Sequence, residues 1–203
     1  MDVWTEINRQ IPPVASPLLA SIVEQYAVEF LVKNKRKTKH GDYRRLANGR
    51  HLITLNRTEN PQRFLITLLH ELAHLVAFKN YGGRIKPHGL EWKSTYKTLM
   101  LPFLQPTIFP EPILGVLARH MKNPKATTDS DFQLVMALKT IEKTSASYVF
   151  ELPEGAVFKL YNGKVFTKGP KMRTRYDCIE RATLRRYRIS PHAEVEPVVW
   201  PND

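Results

Sequence analysis

His70, Glu71 and His74 form an H-E-x-x-H run. On a helix, residues four apart stand nearly one above the other, so both imidazoles project from one face toward one point. Two ring nitrogens at that separation can grip a zinc ion. Glu71 would lie beside the open side of such a metal, where its carboxylate could take a proton from water, as in zinc hydrolases. The metal contributes by lowering the pKa of its water from about 15.7 to about 7. A catalytic zinc also needs a third protein ligand. Gly82-Gly83 stops the helix and lets the chain turn back. His88 follows between Pro87 and Gly89, ahead of a second helical segment that runs through Trp92 to Met100. Glu91 competes for the role, but an imidazole at a helix entrance can be aimed without fighting helix packing, which favours His88.

A five-residue pattern can recur by chance on an ordinary amphipathic helix. Its surroundings argue otherwise: Phe64-Leu65-Ile66, Leu68 and Leu69 precede it, and Leu72, Leu75 and Val76 run through it. A buried helix has little reason to carry three polar side chains there unless something compensates their desolvation, and metal ligation does.

HELAH followed by PHGLEWK resembles the SprT-like metallopeptidases, the family that includes Spartan-type proteases of DNA–protein crosslinks. The resemblance runs from about Val28 to Met100, and more loosely beyond. It implies that His70, His74 and His88 hold zinc, that Glu71 is the catalytic base, and that the chain is a zinc endopeptidase acting near DNA. Many members carry a C-terminal zinc ribbon of paired cysteines. Here Phe150 and Leu152 stand near where the first pair would fall, and Cys178 is the one cysteine of the chain. A lone cysteine cannot build a four-ligand site, so any ribbon function is in doubt and one zinc per chain is expected.

The helices and strands that must position these residues are partly legible. Ser16-Pro17 starts a helix of about 17–30, with Leu18, Leu19, Ile22, Val23, Tyr26 and Phe30 at helical spacing. Residues 1–15 read as an irregular lead-in. Between Phe30 and Asn56 two or three antiparallel strands are expected, with His51–Asn56 the clearest and Gly41-Asp42 and Asn48-Gly49 as turns. Asn60-Pro61 caps a helix of about 61–80 that carries the motif. Trp92, Tyr96 and Leu99 point inward from the next helix. The proline-rich 101–112 connection borders the cleft in this reading, and helices follow near 112–120 and 129–142. Phe132, Val135, Leu138 and Ile141 form the stripe of the last one. His40, His51 and His120 are set aside as non-ligands.

Beyond residues 143–147 the pattern turns to strands, with Asn162-Gly163 marking a type I′ hairpin. The expected fold is α+β: a zincin-like helical core with a small mixed sheet over 1–143, then a basic β-rich subdomain over 144–203.

The chain carries 31 Lys and Arg against 19 acidic residues. Two clusters hold the excess: Lys33–Arg50 with eight cations and one acid, and Lys159–Arg188 with ten cations and two acids. The remainder is net acidic. Such segregation makes DNA a candidate partner, through Lys35, Arg36, Lys37, Lys171, Arg173 and Arg175. A charged edge strand that blocks aggregation explains the first cluster equally well. The interleaved Tyr161, Phe166, Tyr176 and Tyr187 could stack bases or form a core.

A single cysteine, no signal-like N-terminus and no apolar run of about 18 residues lead to the expectation of a cytoplasmic protein without a membrane span. The reading is zinc-dependent hydrolysis of peptide bonds in protein or peptide substrates. Its rival is a nucleic-acid-binding protein with a structural or vestigial zinc. Glu71 argues for the former, since a structural site needs no base. Nothing in the sequence sets the oligomeric state.

Overall fold

The computed structural model describes residues 2–34, 36, 39–141 and 147–199. The chain divides into two compact units, Met1–Glu142 and Lys143–Asp203.

The first unit is built around one helix, α3 (Pro61–Tyr81). Asn60 caps it, its side-chain oxygen accepting from the Arg63 N–H at 2.9 Å, and Pro61 takes the first position where a missing N–H costs nothing. Gly82 ends it at φ 77°, a conformation that a side chain would resist. Phe64, Leu65, Ile66, Leu68, Leu69, Leu72 and Leu75 are all buried, which makes α3 the central element. On one side it packs against a sheet of β1 (Glu29–Lys33), β2 (Gly41–Arg45) and β3 (His51–Asn56). On another it meets α4 (Leu90–Met100). Helices α1 (Val3–Gln10), α2 (Ser16–Val23), α5 (Ile113–His120) and α6 (Phe132–Lys139) complete the unit.

The sheet order is β1-β3-β2, with β2 antiparallel and β1 parallel to β3. The sheet is therefore mixed rather than wholly antiparallel. β3 is buried along nearly its whole length and takes the centre, so the chain leaving β1 passes to the far side of β3 before turning back.

Several local expectations change. The helix expected over 17–30 ends at Val23, because Val28, Phe30 and Val32 pack on the core at strand spacing while Phe30 satisfies both periods. The lead-in is not irregular. Val3, Trp4 and Ile7 give α1 an apolar face, and Trp4 meets Phe30 with ring centroids 5.2 Å apart. Gly41-Asp42 lies within β2 instead of forming a turn. α6 is shorter than expected. Leu134, Val135, Ala137 and Leu138 form its buried face, and Phe132 is half exposed. Ile108 and Phe109 of the 101–112 connection are core residues, and that connection does not line the cleft described below.

The second unit is a six-stranded sheet in the order β4-β9-β5-β6-β7-β8. Its strands are β4 (Ser147–Tyr148), β5 (Val157–Lys159), β6 (Val165–Thr167), β7 (Tyr176–Glu180), β8 (Arg186–Ile189) and β9 (Glu194–Pro197). The β5–β6 hairpin has a longer loop than type I′. Leu160 N–H donates to Lys164 O at 2.9 Å, and of the loop residues only Gly163 has positive φ. That is a three-residue loop with a glycine bulge. Val149, Phe158, Phe166, Cys178, Ile189 and Val195 make the core. Phe158 and Phe166 stack at 5.8 Å, so the aromatic alternation is in part core. Cys178 is fully buried, and burial raises its thiol pKa above the usual value. No helix among the described residues is long and apolar enough to cross a membrane.

Candidate metal centre and cleft

α3 places His70 and His74 one turn apart, facing the chain that returns after Gly82. That return is a turn closed by Gly89 N–H donating to Lys86 O at 2.9 Å, with Pro87 and His88 at its centre. His88 sits at φ 59°, a left-handed conformation that costs a non-glycine residue about 1 kcal/mol. Gly89 is required next to it, since a Cβ there would lie 2.9 Å from Lys86 O. The strain coincides with a particular aim. His88 Nε2 lies 3.0 Å from His74 Nε2 and 3.2 Å from His70 Nε2, and the latter two are 3.3 Å apart.

Hydrogen bonds cannot account for this triangle. Each ring nitrogen has one in-plane site, an N–H or a lone pair, so three of them cannot satisfy one another in pairs. A cation can satisfy all three. Ligand bonds of about 2.0–2.1 Å at tetrahedral angles separate nitrogens by about 3.3 Å, close to the spacing found. Burial first, and mutual repulsion second, pulls His70 down to about 3 and His74 down to about 4; burial also lowers His88. These shifts favour the neutral ring, the form whose lone pair can bind a metal. Among the described residues these three form the one group of His, Cys, Asp or Glu side chains close enough to hold a metal ion. Glu91 is not part of that group.

Trp92 of α4 backs the cluster, its ring 4.7 Å from His70, 5.2 Å from His74 and 4.7 Å from His88. It is buried and also reaches the cleft wall, so core and wall are one role here. Tyr96 lies behind His70 at 5.5 Å and is buried too.

Glu71 points to the sheet side. Burial, and after it the charge of Asp42, pushes its carboxyl up to about 7, against the pull of the Tyr43 backbone N–H that donates to it. Strand β2 can approach so closely because residue 41 is glycine: a Cβ there would meet Thr67 Cγ2 at 2.8 Å and Glu71 at 3.0 Å. Asp42 is held by Arg36, by Lys39 at 3.1 Å and by Arg44 at 3.8 Å. Burial raises its pKa, but Arg36 and Lys39 outweigh burial and keep it below the usual value. The Tyr43 ring stacks parallel to His74 at 6.4 Å, and its hydroxyl hydrogen-bonds with His51 Nδ1 at 2.9 Å.

A cleft of about 470 Å³ runs over the three histidines and Glu71, walled by Tyr43, Phe78, Ile85, Pro87 and Trp92. Gly41, Tyr43 and the 126–129 segment belong to this site although sequence reasoning did not single them out. A glycine two residues before an aromatic in a strand was the available signal for the first two. His40, His51 and His120 lie outside the metal group: His40 pairs with Asp129 at 2.8 Å and His120 with Asp131 at 2.8 Å.

Of the residues expected to meet DNA, Lys35 and Lys37 lie outside the described residues. Arg36 is engaged with Asp42 and with Asn56 at 2.7 Å. Lys171, Arg173 and Arg175 stand exposed on the connection from β6 to β7, in the second unit.

Fold and site together define an α+β domain organised around a helix-borne H-E-x-x-H and a third histidine, whose ring nitrogens converge closely enough to hold a metal ion. Residues 18–108 match the model of the SprT-like family. The chain is 45% identical over 42 residues to Protein SprT of Vibrio parahaemolyticus, covering 20% of this chain and 25% of that protein. It is 56% identical over 36 residues to Protein SprT of Pseudomonas fluorescens, covering 17% and 22%. With Protein SprT of Actinobacillus succinogenes it shares 45% over 49 residues, covering 22% and 28%. The chain thus spans about a quarter of the length of these curated relatives. No solved structure gives a significant match.

Proposed function

We propose that this chain is a zinc metallopeptidase that hydrolyses peptide bonds. The observation that carries the reading is the convergence of three Nε2 atoms at 3.0–3.3 Å beside a buried carboxylate. His70, His74 and His88 hold the ion, and zinc there supplies Lewis acidity that activates water and polarises a carbonyl. Glu71 takes the proton from the attacking water and returns it to the departing amine, so its carboxylate ends the cycle as it began. Tyr43 N–H holds that carboxylate in place, and Trp92 excludes water behind the histidines. Metal analysis is expected to find one zinc per chain, with casein cleavage abolished by chelation and restored by zinc. Two tightly bound zincs would mean that the second unit holds a metal site as well, and cleavage indifferent to chelation would sink the reading.

A second property is compatible with the first. Lys171, Arg173 and Arg175 are exposed and form no salt bridge among the described residues, which suits phosphate contact. DNA is the proposed partner. Log affinity should fall against log salt with a slope of about −0.7 to −0.9 per neutralised phosphate. Replacing all three with glutamate should weaken DNA binding across sequences and flatten that slope, leaving cleavage of a small peptide intact. DNA binding undetectable at low salt, or unchanged in the triple variant, would reduce this cluster to a solubilising surface.

A further inference from the structure

The cleft beside Glu71 consists of two hollows of unlike chemistry. The larger, about 470 Å³, holds all three histidines and has an apolar wall made by Tyr43, Phe78, Ile85, Pro87 and Trp92. The smaller, about 200 Å³, is lined by Lys39, His40, Thr67, Thr127, Thr128 and Asp129. Both reach Gly41, His70, Glu71 and Ala126, so the reacting centre lies where they meet.

Each wall is held in place. Arg45 lies over the Phe78 ring at 5.7 Å, His51 packs against the same ring at 5.5 Å, and Ile85 packs onto the main core. On the polar side Asp129 joins His40 at 2.8 Å to Arg63 of α3 at 3.3 Å.

The element that runs past both hollows is β2, an edge strand. Asn56 N–H donates to His40 O and Leu46 N–H to Arg50 O, so its even-numbered backbone groups face β3. The odd-numbered groups face away from β3. Of these, Tyr43 N–H goes to Glu71. The others have no hydrogen-bond partner among the described residues, which leaves them able to pair with a chain lying along the cleft.

We propose that the cleft takes an extended stretch of polypeptide, with a large apolar side chain on one side of the scissile bond in the Phe78–Ile85 hollow. A small or polar side chain on the other side enters the Thr127–Asp129 hollow. This inference rests on the peptidase reading above and names its substrate class. A pocket of this kind discriminates by about tenfold or more between a side chain that fills it and one that does not.

The test is a mixture of N-acetylated, C-amidated peptides randomised at six positions, digested by the zinc-loaded protein, with cleavage sites read by mass spectrometry. Phe, Leu or Met should be enriched about tenfold over Ser and Asp at one position flanking the cleaved bond. Ile85→Lys should replace that preference with one for Asp or Glu. Affinity of single peptides for zinc-loaded Glu71→Gln, read by fluorescence anisotropy, should follow the same order without turnover. Cleavage without an apolar preference, or a preference unmoved by both Ile85→Lys and Phe78→Ala, overturns the inference and leaves the peptidase reading standing. Selective binding without any cleavage by the wild type overturns the peptidase reading and keeps the assignment of the hollows. Neither binding nor cleavage overturns both.

Discussion

Glu71→Gln is expected to bind zinc as the wild type does and to lose peptide turnover by about a thousandfold or more, the scale of a general base in hydrolysis. The substitution is nearly isosteric. It keeps an oxygen that can accept from the Tyr43 N–H and leaves Gly41 room against the side chain. What it removes is the ability to take a proton from water. The histidine triangle does not include Glu71, so the substitution should leave the geometry at His70, His74 and His88 untouched. His70→Ala and His74→Ala should lose zinc and activity together. Zinc content and turnover, measured side by side, separate the two kinds of loss. A Glu71→Gln protein that cleaves as fast as the wild type would exclude Glu71 as the base.

The parts of this site legible in the sequence are those governed by local rules. Spacing alone sets His70 and His74 on one face. Asn60-Pro61 and Gly82 fix both ends of α3 through a side-chain cap and a positive φ. His88 can be found because Pro87 and Gly89 mark a turn at a fixed distance from that end. What escaped depends on pairing across the chain. Gly41-Asp42 has the composition of a turn, and only the pressure of α3 at Thr67 and Glu71 explains a glycine inside β2. The parallel pairing of β1 with β3 follows from which strand is most buried, a property of the assembled sheet. The polar wall at Thr127–Asp129 reaches the site through Asp129, whose partners His40 and Arg63 lie 89 and 66 residues away. Phe30 shows the same limit inside one segment, since it fits a helical stripe with Tyr26 and a strand with Val28 and Val32. Tertiary packing chose the strand.

The second large effect concerns His88. His88→Ala is expected to lower zinc affinity by about a hundredfold or more, beyond the 10–100-fold typical of losing a mere supporting hydrogen bond to a ligand. Glu91→Ala should leave affinity unchanged, because that carboxylate is outside the converging group. His88→Gly separates ligation from folding more sharply. The residue sits at φ 59°, where histidine carries about 1 kcal/mol of strain and glycine carries none. Glycine's extra unfolded-chain entropy offsets roughly 0.5–1 kcal/mol of that relief. The metal-free His88→Gly protein should therefore be no less stable than the metal-free wild type, while its zinc affinity falls as far as that of His88→Ala. Chelated and zinc-loaded samples compared by thermal unfolding and by competition with a zinc dye give both quantities. A structural role for His88 would produce the opposite pattern, a destabilised metal-free protein that still binds zinc. A fall in affinity for Glu91→Ala and none for His88→Ala would move the third ligand from the turn to the first turn of α4.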